Sequence, residues 1–256
     1  MEKQYLSVVC KNIGMDIHVR APIEFEKILD YTFTNSIQMT RQRISIQQLL
    51  DQQSEDSSEE DKKQLIRHLN MYSNEIKAVI TNLKNKKLTS QPRFSWSINN
   101  ETVETPCWLF EAIMPRVVNY KLNLDIGKNM VKNEKYVDAN KYFKEALRCA
   151  NECYFLNESW KWKMPHMNHK IVSSKWHIAQ IHKINSLMQL TTLARGQQQG
   201  STDKTLYVLS QRALHYSALS YMQWKDPQTE MLLKMSDAFR YMYSANILWN
   251  NGQYGS

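Results

Sequence analysis

The 256 residues can bury a substantial core, either as one elongated domain or as two smaller ones. Only six Gly and six Pro are present, and so few helix breakers favour long helices. The formal net charge of +8 indicates an acidic partner such as nucleic acid, anionic lipid or an acidic peptide, although many proteins that bind none of these carry a similar charge.

Cysteine usage and the N-terminus indicate the compartment. Four Cys, at positions 10, 107, 149 and 153, are too few and too unevenly spaced for a disulfide framework, so we expect reduced thiols. The N-terminus, MEKQYLSVVCKN, lacks the apolar core of a signal peptide, and no apolar run reaches the roughly 20 residues that a transmembrane helix needs. We therefore expect a soluble, cytoplasmic protein.

Two short segments have the alternating pattern of strands. Met15, Ile17 and Val19 alternate with polar residues and stop before Pro22, and apolar and Ser residues alternate over 94–98. We predict that the two segments pair in a small, hairpin-like sheet near the N-terminus.

Residues 23–92 are predicted to form a helical hairpin. Helical spacing is loose over 23–50, and the acidic run 51–63 leads into a second helix that Ser58 can cap, with Asp61 three residues further on. The apolar stripe of that second helix consists of Leu65, Leu69, Tyr72, Ile76, Val79, Ile80 and Leu83.

Residues 105–256 are predicted to form a tetratricopeptide-like array. Thr105-Pro106 suits the start of a helix that continues to about Val131, with a kink or break at Pro115. The next helix, 135–156, contains Y-x-x-A-x-x-Y-F-x-x-A, in which small Ala residues allow a neighbouring helix to approach closely. Its apolar stripe consists of Tyr136, Ala139, Phe143, Ala146, Leu147, Ala150, Cys153 and Tyr154.

Three further helices follow. The first is predicted over 169–193, and a polar loop over 194–204 contains Ser201 and Thr202, either of which can open the next helix. Asp226-Pro227 caps the last helix. The predicted buried faces are Leu206, Leu209, Ala213, Tyr216, Ser220 and Trp224 in the second of these helices, and Met231, Met235, Ala238, Phe239, Met242, Ala245 and Trp249 in the last.

The C-terminal sequence Asn250–Gly255 resembles the turn between two tetratricopeptide helices. Because no further helix follows, we expect a truncated chain whose last helix leaves an apolar face uncovered. The prediction as a whole is an all-α fold without coiled coil, in which residues 1–256 form one elongated helical domain, incomplete at the C-terminus.

Sequence motifs bear on two kinds of chemical site, a zinc site and an enzyme active site. Cys149-x3-Cys153 followed by His166-x2-His169 approaches zinc-finger spacing, but both Cys lie inside a well-patterned helix, so we favour small buried thiols and expect no metal. The chain has no G-x-S-x-G, no Gly-rich phosphate loop and no H-E-x-x-H, so we expect neither an enzyme nor a cofactor.

Residues 160–183 interleave cations with aromatic side chains, a pattern that suits anionic membranes or single-stranded nucleic acid. The interpretation that we prefer is that the Trp side chains fill a gap between helices while the Lys point outward. A membrane or acidic-protein contact comes second, and nucleic acid third. The candidate basic surface consists of Lys161, Lys163, Lys170, Lys175 and Lys183.

The order of several short landmarks resembles the Bro domain of proteins associated with the ESCRT membrane-scission machinery. The landmarks are Ala21-Pro22, Phe94-Ser95-Trp96, Phe110-Glu111, the Tyr-rich helix at 136–146, Ala179-Gln180, Leu209–Tyr216 (LSQRALHY), and Tyr243–Leu248 running into Gly252–Gly255.

The resemblance implies a tetratricopeptide-like helical core, a small sheet near the N-terminus, and a groove that binds the C-terminal amphipathic helix of ESCRT-III (charged multivesicular body) subunits. It therefore implies a non-enzymatic adaptor in endosomal sorting or membrane remodelling. Such a protein would be peripheral on endosomal or nuclear-envelope membranes. Relatives that end in a prenylation motif differ from this chain, which has no Cys near its last residues, Gln-Tyr-Gly-Ser.

The resemblance also places the groove. Its three apolar anchors fall on Asn185, Thr205 and Leu209, of which only Leu209 is apolar here, and Met188 and Leu206 are the candidates to replace the other two. An unpaired Asn or Thr buried against a partner's Leu would cost roughly 1–3 kcal/mol each. Ordinary core packing remains an equal alternative for Leu209.

Overall fold

The computed structural model describes residues 17–20, 23–29, 35–54, 57–83, 90–99, 101–159 and 170–253. They belong to two compact units, one within residues 14–122 and the other from Asn123 onward. The fold is all-α with a small three-stranded antiparallel sheet at the N-terminal end, as predicted.

The sheet of the N-terminal unit contains β1 (Ile17–Val19), β2 (Phe94–Ile98) and β3 (Glu101–Thr105), in that order. The predicted pairing of the first two is confirmed, because β1 runs antiparallel to β2 with Val19 opposite Trp96. Sequence analysis missed β3, whose largely polar sequence ETVET is mostly exposed. Its signal was the Asn-Asn pair before it, since Asn99 adopts the positive φ, 50°, typical of a tight hairpin turn.

The single helix predicted over 23–50 is wrong. The structure has one helical turn, α1 (Phe25–Ile28), and then a separate helix, α2 (Ser36–Asp51). Leu29 is extended, and the following sequence DYTFTN is poor in helix formers. The hydroxyl of Thr40 joins α1 to α2, because it accepts the Phe25 N–H at 2.9 Å and donates to Glu26 at 2.6 Å.

The start of the next helix, α3 (Glu59–Leu83), follows the predicted capping box. Ser58 Oγ accepts the Asp61 N–H at 3.1 Å, and Asp61 Oδ2 accepts the Ser58 N–H at the same distance. Helices α2 and α3 pack against each other, with Gln42 Nε2 donating to Glu75 Oε1 at 3.4 Å.

The core of the N-terminal unit contains a buried ionic network centred on Glu111, near the start of α4 (Trp108–Lys132). Its carboxylate accepts bonds from Arg43 Nε (2.9 Å), the Tyr72 hydroxyl (2.5 Å) and Trp96 Nε1 (2.6 Å). The Arg43 guanidinium also lies 5.6 Å from the ring centroid of Trp96. These side chains come from α4, α2, α3 and β2, so a single carboxylate joins four elements.

Helix α4 corrects two predictions. It begins at Trp108 rather than at Thr105-Pro106, because Thr105 belongs to β3 and its hydroxyl accepts the Cys107 N–H at 3.2 Å. Of the kink or break predicted at Pro115, the break does not occur, since α4 continues across Pro115 as one helix, and the kink stays a prediction.

The C-terminal unit is a succession of packed helices: the last part of α4, then α5 (Tyr136–Ser159), a 3-10 turn (Lys170–Val172), α6 (Ser174–Gln198), α7 (Asp203–Gln223) and α8 (Pro227–Asn250). The stripe predicted for α5 is confirmed at six positions, whereas Leu147 and Tyr154 are only half-buried. The buried side chains of α5 are Tyr136, Ala139, Phe143, Ala146, Cys149, Ala150 and Cys153.

Helix α6 runs about five residues later than the predicted 169–193, and the loop predicted over 194–204 shortens to Gln199–Thr202. The Gln-rich sequence after Arg195 continues the helix instead of breaking it. Gly196 lies within this added turn, where a Cβ would come 3.0 Å from Leu206 Cδ2, the end of a flexible side chain of α7.

The caps of the last two helices are as predicted. Thr202 accepts the Thr205 N–H at 3.4 Å, and Asp226 forms a capping box with Thr229, accepting its N–H at 2.7 Å.

The buried faces of the last two helices were only partly predicted. Helix α7 buries Leu206, Ser210, Ala213, Ser217 and Ser220, and Leu209, Tyr216 and Trp224 are half-buried. Helix α8 buries Leu232, Met235, Ser236, Phe239 and Tyr243, whereas Ala238, Met242, Ala245 and Trp249 are exposed. Helices pack closest where side chains are smallest, and the contact face of α7 is accordingly centred on Ser and Ala, whereas α8 buries mostly large apolar side chains.

Replacing Glu111 by Ala should destabilise the N-terminal unit by about 3–5 kcal/mol, because the buried Arg43 cation and two buried donors would lose their acceptor. Urea unfolding followed by circular dichroism measures the change. Glu145→Ala removes an exposed partner of Arg148 and should cost less than about 1 kcal/mol. Equal effects of the two substitutions would contradict a central role for the network.

Gly127→Ala should also destabilise the protein, by about 1–3 kcal/mol, because the added Cβ would come 2.4 Å from Cε1 of the buried Phe143 ring. The matched control is Gly196→Ala, whose Cβ meets the end of the Leu206 side chain and whose helix propensity improves. It should change the thermal midpoint much less than Gly127→Ala.

Candidate functional site

The candidate site is built on the pair α6–α7, whose backbones are joined by serine hydroxyls. Ser186 Oγ on α6 donates to the Ala213 carbonyl at 2.9 Å, and Ser220 Oγ on α7 donates to the Ala179 carbonyl at 2.9 Å. The order of these contacts shows that the two helices are antiparallel. All four residues are buried, so this contact leaves little room for large side chains between the helices.

Larger side chains of the same two helices lie beside this contact and line an open groove of about 360 Å³. Gln189 lies on the α6 side, and the other five lining residues lie on successive turns of α7. The lining residues are Gln189, Val208, Gln211, Arg212, His215 and Tyr216.

The groove is polar and cationic with an apolar edge. Arg212 is exposed and supplies a permanent positive charge, Val208 supplies an exposed apolar side chain, and none of the six lining residues is acidic. The ring of His182 on α6 stacks on Tyr216, with centroids 6.2 Å apart. Burial and the nearby His215 lower the pKa of His182, so its neutral form is favoured at neutral pH.

The predicted anchors lie near the groove but do not line it. Asn185 is half-buried and lies on the α6 face that carries His182 and Gln189, three residues before it and four after it. Its Nδ2 donates to the Ile181 carbonyl at 3.0 Å, so its amide already has one partner. Leu209 is half-buried, on the α7 face that also carries Arg212 and Tyr216.

The other three candidates differ in exposure. Met188 is half-buried on α6, next to the lining residue Gln189. Thr205 is exposed, but its hydroxyl lies 3.1 Å from that of Thr202 within the helix cap. Leu206 is buried against Gly196 inside the helix pair and therefore offers no exposed surface to a partner.

Sequence analysis did not select the groove residues themselves. Their signal was present in α7, where Val208, Gln211, Arg212 and His215 recur at helical spacing as a row that is more polar than the buried face. The sequence alone does not show which face of α6 lies opposite this row. That face is set by the residues that make the closest contact between the two helices.

The candidate basic surface over 160–183 is only partly described, since residues 160–169, with Lys161 and Lys163, lie outside the described ranges. Lys175 is exposed and Lys170 is half-buried. Trp176 and His177 are buried, as expected if aromatic residues fill space between helices.

The prediction that Lys183 belongs to the basic surface is wrong, because its side chain is buried. Its Nζ lies 3.0 Å from Gln228 Oε1 and 3.7 Å from Asp226 Oδ2, at the start of α8. Burial lowers the pKa of Lys183, and the nearby carboxylate of Asp226 opposes that shift. The side chain therefore anchors the beginning of α8 to α6.

The structure describes only two of the four candidate zinc ligands. Cys149 and Cys153 are buried thiols of α5, and His166 and His169 lie outside the described ranges. No group of three potential metal-binding side chains occurs among the residues that the structure describes. Within the same residues, no helix is both long and apolar enough to cross a membrane.

Comparison with models of known protein families and with curated protein sequences found no match for this chain. The family resemblance therefore stays a prediction that depends on its short landmarks. What the structure adds is the location of the groove, the residues that line it and their charge.

His177 gives α6 a pH-dependent contribution to stability. It is buried, and neither ring nitrogen makes a hydrogen bond of good geometry among the described residues. Burial lowers its pKa from 6.5 to about 4, and the backbone of Ile171 acts weakly in the opposite direction.

Because the unfolded chain takes up a proton at His177 near pH 6.5 and the native chain does so only near pH 4, stability should fall as the pH falls through that window. The loss should reach up to about 3 kcal/mol and then level off. Urea unfolding at pH 7, 5.5 and 4 measures it. In His177→Leu this part of the pH dependence should disappear, and equal slopes in variant and wild type would contradict the assignment.

Proposed function

We propose that this chain is a non-enzymatic adaptor, resembling Bro-domain proteins, that binds an acidic amphipathic helix in the groove between α6 and α7. The partner that the resemblance implies is the C-terminal helix of an ESCRT-III subunit. The observation that carries the proposal is the groove itself, which is open, has a cation and lacks an acidic lining residue.

The chemistry of the groove supports a helical peptide. A partner helix presents apolar side chains every three or four residues and acidic side chains beside them. Val208 and the half-buried Leu209 can receive an apolar side chain, and Met188 adds a flexible one. Arg212 can pair with a carboxylate in two hydrogen bonds, while Gln189 and Gln211 provide amide groups.

The polar anchors limit the expected affinity. Asn185 and Thr205 occupy positions that are apolar in the family that the chain resembles. Neither contributes apolar area to a partner's Leu. Both polar groups have a partner within their own helix or cap, which lowers the cost of covering them. We therefore expect a dissociation constant on the order of tens of micromolar, as for many transient peptide contacts.

The competing proposal, that residues 160–183 bind an anionic membrane or nucleic acid, has less support. Among the described residues of that stretch, Lys175 and Lys170 reach solvent, whereas Lys183 does not. Triple substitution Lys161/Lys163/Lys170→Glu would abolish such binding, and the affinity would depend steeply on salt.

Titrating a fluorescently labelled ESCRT-III C-terminal helix with the protein should give saturable anisotropy at tens of micromolar protein. Leu209→Asp and Arg212→Glu should each weaken binding at least about tenfold, by removing apolar contact and by reversing the groove's charge. Added salt should weaken binding moderately, because a single Arg supplies most of the attraction.

The matched control is Lys234→Glu, which makes the same charge change on an exposed side chain of α8 outside the groove. It should leave the affinity unchanged. A peptide of the same composition in scrambled order should not bind. Failure to saturate, or equal weakening by Lys234→Glu and Arg212→Glu, would overturn the proposed site.

A further inference from the structure

Two histidines adjoin the ring of Tyr216 at the groove between α6 and α7. The antiparallel register of the two helices, set by the serine contacts, puts His182 of α6 beside Tyr216 of α7, and the two rings stack with their centroids 6.2 Å apart. His215 precedes Tyr216 on α7, and its ring meets the tyrosine ring edge-on at 5.6 Å. Two groups that can each take up a proton near neutral pH therefore adjoin one ring.

The two histidines differ in how they meet the groove. His215 is exposed and lines the groove, so its imidazole can touch a bound molecule directly. His182 is half-buried, and its Nδ1 makes no hydrogen bond among the residues that the structure describes. A charge on His182 would therefore act on a bound molecule across Tyr216 rather than by direct contact.

Without a bound molecule, the groove opposes a charge on His182. Burial lowers the pKa of His182, and the nearby His215 lowers it further. Repulsion between like charges is reciprocal, so both imidazoles cannot be charged together without cost. Arg212 lines the same groove, three residues before His215, and adds a permanent positive charge.

The described helices around the groove do not supply a negative charge for these histidines. Helix α6 has no Asp or Glu, and the only one in α7, Asp203, lies at its start, bonded to Asn246 and Asn250 of α8. The acidic residues of α5 and α8, with the cap of α8, have partners of their own: Asp138 with Lys141, Glu145 and Glu152 with Arg148, Glu158 with Ser174, Asp226 with Lys183, Glu230 with Lys234, and Asp237 with Arg240. Among these helices, the counter-charge beside protonated histidines is therefore missing, and an acidic guest helix would supply it.

An acidic guest reverses the balance. A carboxylate held beside an imidazole favours the charged imidazole, so a histidine has a higher pKa in the complex than in the free chain. Binding then includes proton uptake, and the affinity increases as the pH falls. The increase is absent above the pKa of the complex and complete below the pKa of the free chain. Exposed carboxylates of the guest, with an ordinary pKa of about 4, stay charged throughout this range.

We propose that His182 and His215 make the groove a proton-linked receptor, which takes up protons as it binds an acidic helix and holds that helix more tightly at pH 5.5 than at pH 7.5. The proposal depends on the proposed function, since the groove and the guest are the same. Arg212 supplies the attraction that does not change in this pH range, and the two histidines supply the part that does.

The anisotropy titration of the labelled ESCRT-III helix, repeated at pH 7.5, 6.5 and 5.5 and at constant ionic strength, measures the effect. The affinity should rise about five- to tenfold from the highest pH to the lowest. The peptide contains no histidine, and a copy in which Asn and Gln replace Asp and Glu should show no such rise. Calorimetry at pH 6.5 in two buffers of different ionisation enthalpy should detect uptake of about one proton per bound guest.

The pH window avoids the other buried histidine of α6. The pKa of native His177 is about 4, so this residue stays neutral in the folded chain down to pH 5.5. Circular dichroism should therefore show the same helicity at all three pH values, which excludes unfolding as the cause of a change in affinity.

Substitutions assign the effect to the two histidines. The double variant His182→Gln/His215→Gln should bind with nearly the same affinity at every pH and take up no proton, because glutamine is polar and does not become charged. Arg212→Gln should weaken binding at every pH and keep the rise. The matched control is His68→Gln, which replaces a half-buried histidine of α3 in the N-terminal unit and should behave as the wild type.

Three outcomes would overturn the proposal, and they differ in what they leave standing. Saturable binding with equal affinity at pH 7.5 and 5.5 would exclude the proton linkage and leave the proposed function intact. A rise in affinity that persists in the double variant would assign the protons to other groups. Binding that saturates at none of the three pH values would overturn the proposed function as well.

Discussion

The arrangement of the C-terminal unit depends on the close approach of α6 and α7, which buried serine hydroxyls make possible. Ser186 and Ser220 each donate to a carbonyl of the opposite helix, so their polar groups are satisfied without water. A contact made of Ser, Ala and Gly brings two backbones together but has no room for Tyr216 or Leu209. Those larger side chains therefore lie at its edge, where Tyr216 lines the groove and Leu209 lies on the same helix face without lining it.

In the N-terminal unit, the helices are joined by a different kind of contact. There one buried carboxylate, Glu111, accepts bonds from three elements besides its own, and each donor lies far from it in sequence except Trp96. A buried charge of this kind is stable only when every partner is present, because the desolvation cost is large and each bond offsets part of it. The network specifies one arrangement of α2, α3, α4 and β2, whereas the serine contacts specify a distance between two helices.

The proposed interaction uses a surface of one charge sign. The groove of α6 and α7 offers Arg212 and no acid, which suits a partner with negative charge. The groove depends on the small buried residues of α7, because they set how closely α6 and α7 approach.

Local signals determined much of what the sequence predicted correctly. The capping boxes at Ser58 and Asp226, the pairing of β1 with β2 and the stripe of α5 all depend on residues a few positions apart or on simple alternation. Only the tertiary structure decided which face of α7 is buried, because its small serines pack closest and composition ranks them below larger apolar residues. It also decided that Lys183 lies inside the protein and that Glu111 is a charged centre, since their partners Gln228, Asp226, Arg43 and Tyr72 are distant in sequence and meet only when the helices pack.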